Sequence, residues 1–358
     1  MKKRERLFFA SFVLLSCAEP SRTAAPETPI APPSEAIPRA EDGSSAITSD
    51  AGGAVSPTSD AGARVSEITR KEAIDVLFTP LGDGAAPPAC EGEGDDAVRC
   101  LIDARYASDA ESDQLARGIF DRTGSVFGVE RAHVMNGGYR GMLHLVPVLP
   151  VGENRVHLAR IVAALDDYGV FFGALQRKGN ATIVYRWRSL AIRFFRSVHA
   201  RTPSAYASGW TVAYNVDGSL NKAEDSVRET MFHEIFHLND GAHATQSDDW
   251  SEKNLGATYD AIVSKCRASK AVTACLAKYA PNDTMVKGGT YYAFQPGNDV
   301  REYAAELAVR YYKEQRAALG FASAVKLSFK CTGQENASSW KKVVDEFFGG
   351  IDLTAACP

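Results

Sequence analysis

The sequence predicts an α+β domain in which a small twisted sheet packs on one core helix, a mainly helical C-terminal lobe follows, and a cleft lies between them. Short runs of β-branched, aromatic and long apolar residues, at 141–147 and 210–216, read as strands and fall before residue 240. Apolar residues at helical spacing dominate the chain after that point. Between the two, a helix from about 223 to 239 aligns Val227, Met231, Ile235 and Leu238 as one apolar stripe, and the same helix carries His233, Glu234 and His237.

Ahead of this domain, Lys2, Lys3, Arg4 and Arg6 are followed by an apolar run from Leu7 to Leu15, the pattern of an export signal over residues 1–16. The run is too short to span a bilayer. Leu14-Leu15-Ser16-Cys17 resembles the bacterial lipobox, which implies cleavage before Cys17, lipidation of that cysteine and attachment to a membrane through it. Ala18 in the next position looks like the outer-membrane sorting pattern, so the expected location is the cell envelope, periplasmic or surface-exposed. From 17 to 66 the chain is dominated by Ala, Pro, Ser, Thr, Gly and Asp, with large apolar residues as sparse as Ile30, Ile37 and Ile47. Such a stretch cannot bury enough surface to offset its conformational entropy. It reads as a disordered tether of about 50 residues, its ends on the order of 40 Å apart.

The segment 67–358 has the size of one large or two small closely packed domains, with a lobe carrying the His233 helix to about 240 and a helical lobe over 241–358. A net charge of −4 argues against nucleic acid as a partner. Of the seven cysteines, setting Cys17 aside leaves six, and in an exported chain an even count reads as three disulfides. Proximity suggests Cys90 with Cys100, Cys266 with Cys275 and Cys331 with Cys357, although six cysteines allow 15 pairings. A thiolate zinc cluster competes but lacks any CxxC pair.

Along the domain, Leu115, Ile119 and Val126 give residues 101–128 helical spacing, and 141–147 is the first strand. A long helix over 155–176 places Leu158, Ile161, Val162, Leu165, Tyr168 and Phe172 on one side. A strand is expected at 181–185, while 187–199 fits either period. The strand at 210–216 ends in the turn pair Asp217-Gly218 and feeds the His233 helix, which is expected to stop at Asp240-Gly241 with Gly241 in the left-handed position. Further helices are expected over 251–265 and 299–319.

The chemistry sits in His233-Glu234-Ile235-Phe236-His237. Residues four apart on a helix are about 40° past one full turn, so both imidazoles face one way. Glu234 lies on the flank, able to take a proton from a metal-activated water without itself being a ligand. This is the HExxH pattern of zinc peptidases. A catalytic zinc needs a third protein ligand and one open position, and two residues compete for that place. In Arg301-Glu302-Tyr303-Ala304-Ala305-Glu306 the Glu-x-x-x-Glu spacing resembles the gluzincins, and EYAAE looks like the EFFAE run of the anthrax lethal factor type of peptidase domain. That resemblance implies a zincin-like fold, one Zn2+ per chain held by His233, His237 and Glu302, Glu306 steadying a ligand histidine, and a tyrosine, Tyr292 or Tyr291, facing the oxyanion. Alternatively His243 completes the HExxHxxGxxH spacing of the metzincins, with Asp240 in the glycine slot and Met285 as the only downstream methionine. Glu302 is preferred, since Glu302 and Glu306 supply a ligand and its support together, whereas the metzincin reading lacks its glycine and its usual methionine turn. The expected function is a lipid-anchored, zinc-dependent endopeptidase acting on a peptide or protein, with Glu234 as general base. A surface lipoprotein that binds without turnover, or a hydrolase of other amide bonds, is the rival. A Cys17→Ser chain expressed with radiolabelled palmitate should lose the label that the natural chain acquires; equal labelling of both would exclude lipidation at that residue.

Overall fold

A computed structural model of the protein describes residues 67–79, 82–137, 141–244, 248–286 and 289–358. The expected export signal (1–16), lipidated Cys17 and tether (17–66) lie outside the described residues. The protein is α+β. Helices α1 (Arg70–Leu77), α2 (Asp95–Tyr106) and α3 (Ala110–Thr123) precede strands β1 (Val126–Val129), β2 (His133–Asn136) and β3 (Met142–Pro147). Helix α4 (Arg155–Gly179) leads to β4 (Ala191–Ser197), β5 (Ala205–Ser208) and β6 (Thr211–Asn215). Then follow α5 (Glu224–Ala242), α6 (Trp250–Arg267), α7 (Val272–Leu276), the hairpin of β7 (Met285–Val286) and β8 (Thr290–Tyr291), α8 (Val300–Ala318) and α9 (Gln334–Phe347).

β4 is the middle of the sheet, and Ile192 to Phe195 are all buried because both its faces are covered. Along one side it pairs first with β1, in parallel, and then with β3, antiparallel. On its other side it pairs in parallel with β6, and β5 closes that end antiparallel to β6. The strand directly before the His233 helix is therefore interior, and β5 is the edge on that side. Gly209 and Trp210, at φ 56° and 61°, make the two-residue turn joining β5 to β6, where positive φ matches the twist of the strands. The register sets Ser208 opposite Thr211 and Tyr206 opposite Ala213. Pairing alternates along an antiparallel edge, so the N–H and C=O groups of Ala205 and Ala207 face away from β6.

Several elements differ from expectation. Residues 101–128 break into α2, α3 and β1, because Asp109 accepts the N–H of Ser112 to start a new helix and Gly124, at φ 68°, ends it. Residues 181–185 join no ladder; the Tyr185 N–H bonds to the Phe347 carbonyl, and the Asn239 side chain pairs with both backbone groups of Arg186. The ambiguous 187–199 resolves into β4. α5 continues through Gly241 to Ala242, so Gly241 is helical and does not cap.

α5 packs between α4 and α8, and α8 packs also on α6 and α9. Among the described residues the disulfides are Cys90–Cys100, Cys266–Cys275 and Cys331–Cys357, an arrangement suited to an oxidising compartment. No helix among the described residues is long and apolar enough to cross a membrane. At the centre of the core Phe232 is fully buried, stacked on Tyr312 at 4.5 Å and on Tyr185 at 4.9 Å. Locking Phe232 locks the roll of α5, and His233 is the next residue. Phe232→Ala should cost about 3–5 kcal/mol in denaturant unfolding; a loss below about 1 kcal/mol would show that this column does not fix the helix.

Candidate metal centre

His233 and His237 stand one turn apart on α5, and Glu302 stands in the first turn of α8, which Asp299 caps by accepting the N–H of Arg301 at 2.9 Å. The packing of the two helices brings the three side chains to one point. His233 Nε2 lies 3.1 Å from Glu302 Oε2 and 3.1 Å from His237 Nε2, and His237 Nε2 lies 3.7 Å from Glu302 Oε1. Ligand atoms about 2.0–2.2 Å from one metal ion stand about 3 to 4 Å from each other, so these distances fit a single ion. Among the described residues, this is the group of histidine, cysteine and acidic side chains placed to hold a metal.

Behind the cluster, His233 Nδ1 is 3.3 Å from Glu306 Oε1. A proton on Nδ1 shared with that carboxylate leaves the Nε2 lone pair facing inward, the tautomer a metal requires. The far side of Glu306 is held by Asn282, whose Nδ2 donates to Glu306 Oε2 at 3.0 Å and to the Glu306 carbonyl at 2.8 Å. Tyr292, in a 3-10 turn after β8, brings its ring 5.8 Å from that of His233.

Burial and charge set the protonation of these groups. Burial pushes the Glu234 carboxyl up to about 7, with His233 opposing and Glu302 adding to the shift. Burial alone would raise Glu302 too, but His237 and the hydrogen bond with His233 hold it down at about 2. Burial lowers His237 to about 4. It acts against charge on His233 as well, yet the hydrogen bonds to Glu302 and Glu306 outweigh it and hold that ring well above the ordinary imidazole range.

His243 is elsewhere. Its Nδ1 lies 2.7 Å from Glu346 Oε1 on α9 and its ring packs 5.0 Å from Phe347. The metzincin geometry needs a sharp turn at Asp240, but α5 runs straight through it, and the Asp240 carboxylate is taken by the backbone N–H and hydroxyl of Ser251 at 2.7 and 2.6 Å. Met285 is half exposed in β7, and Tyr291 stands opposite it in the hairpin. Asn282 escaped the sequence reading because no periodicity links it to Glu306, 24 residues on.

The donor set of two imidazole nitrogens and one carboxylate, with a carboxyl behind one imidazole, suits a divalent transition-metal ion. Comparison of the chain with protein-family models, curated proteins and solved structures returns no match. Replacing Glu302 or His237 by alanine should weaken zinc binding by more than about 100-fold, beyond the usual cost of losing an outer partner, while His243→Ala should bind zinc as the natural chain does. Loss of zinc in the His243 variant with retention in the Glu302 variant would reverse the assignment. Because a metal must displace the proton that His233 Nε2 shares with Glu302, zinc affinity measured by chelator competition should rise with pH.

Proposed function

We propose that the protein is a zinc-dependent endopeptidase of the zincin type, nearest in its motifs to the gluzincins, exported and anchored by lipid at Cys17. The convergence of His233, His237 and Glu302, with Glu306 behind His233, is the observation that carries this reading. When bound, a zinc ion supplies a lowered pKa for a water and polarises a carbonyl. The rest is done by the chain's own groups. Glu234, next to His233 and pushed by burial to about 7, is matched to accept a proton near neutral pH and return it to the leaving amine nitrogen. Tyr292, whose ring lies 5.8 Å from that of His233, would be the oxyanion donor in this reading. The edge strand β5 packs on α5, and the outward N–H and C=O groups of Ala205 and Ala207 suit an extended peptide added as a further strand.

Glu234→Gln should keep full zinc occupancy and lower kcat on a mixed peptide library by about 10²–10⁴-fold. If the natural chain and this variant act alike on every peptide while both bind zinc, the protein binds without turnover and the peptidase reading fails.

A further inference from the structure

We infer that Asn282 is a positioning residue for the metal centre, acting through Glu306 on His233; the inference rests on the metal-centre reading above. Asn282 is 7% exposed and lies in the segment between α7 and β7, outside every motif that marks the site. Its amide nitrogen faces two acceptors, the Glu306 carboxylate and the Glu306 carbonyl. The orientation is therefore dictated by chemistry, since the flipped amide would set oxygen against oxygen at both contacts. The remaining oxygen, Oδ1, is buried and has no hydrogen-bond partner among the described residues. The fold bears an unsatisfied polar atom there in order to give both amide hydrogens to Glu306. With Oε2 held, the carboxylate cannot rotate, so Oε1 stays on His233 Nδ1 and Nε2 stays aimed at the cluster.

The segment itself is fastened from several sides. Cys275 ties its start to Cys266 on α6, Asn336 on α9 donates to the Lys278 carbonyl at 2.7 Å, and Arg310 on α8 donates to the Pro281 carbonyl at 3.3 Å. Two residues after Asn282, the Thr284 carbonyl accepts the Tyr292 N–H at 2.8 Å. One short stretch thus sets both the carboxylate behind His233 and the backbone of the tyrosine in front of it.

The test is a double-mutant cycle on zinc affinity, using the natural chain, Asn282→Ala, Glu306→Ala and the double variant, with the thermal unfolding of each zinc-free protein as a folding control. Asn282→Ala should weaken zinc binding about tenfold, the lower end for an outer partner, and should cost nothing further once Glu306 is alanine. Asn282→Asp, which sets a carboxylate against Glu306, should weaken binding at least as much as the alanine. Unchanged affinity in Asn282→Ala, or the same fold-loss with and without Glu306, would overturn the inference, the second outcome showing a general packing effect. Failure of the natural chain to bind zinc would overturn the metal-centre reading and this inference with it, and is visible in that arm alone.

Discussion

The docking of α5 against α8 is the constraint on which the centre depends. Two ligand groups come from one helix and the third from another, 69 residues away in sequence. No local preference brings them together. What does is burial along the shared face, where Phe232 on α5 stacks against Tyr312 on α8 and the small side chains Ala304, Ala305 and Ala308 are fully buried. A helix that is fixed in roll by a large aromatic core presents its next residue in one direction only, and here that residue is His233. Rigid elements hold a constellation of this kind more closely than loops do.

The same docking carries the support of His233. Glu306 stands one turn beyond Glu302 on α8, so a single helix delivers both the carboxylate that meets Nε2 and the carboxylate that meets Nδ1. The two acids act on opposite sides of one ring, which is why that imidazole is held well above its ordinary range in spite of its burial, while for His237 burial outweighs the pull of Glu302 and Asp299 and drives it the other way. Such a cluster of buried, oppositely perturbed groups is costly for stability and useful for binding a cation.

What the sequence showed and what it did not divide along a physical line. Periodicity and short motifs report on residues within a turn or two of each other, so His233, Glu234 and His237 were legible as one face, and Glu302 with Glu306 as another. The disulfide pairs suggested by proximity are the ones found, since short loops close most readily. Chain reversals set by tertiary partners were not legible. The Asp240 carboxylate looked free to shape a turn, but Ser251 claims it and the helix runs on, which carries His243 away towards Glu346. Residues 181–185 read as a strand, yet Tyr185 bonds to Phe347 and the next residue to the Asn239 side chain, and no ladder forms. Asn282 had no sequence signal, because its role exists only through a contact made by the fold.

Anomalous diffraction at the zinc edge from crystals of the zinc-loaded protein addresses the centre most directly. One peak about 2.0–2.2 Å from His233 Nε2, His237 Nε2 and a Glu302 oxygen is the predicted result. A peak with His243 in its coordination sphere, or none between α5 and α8, would contradict it.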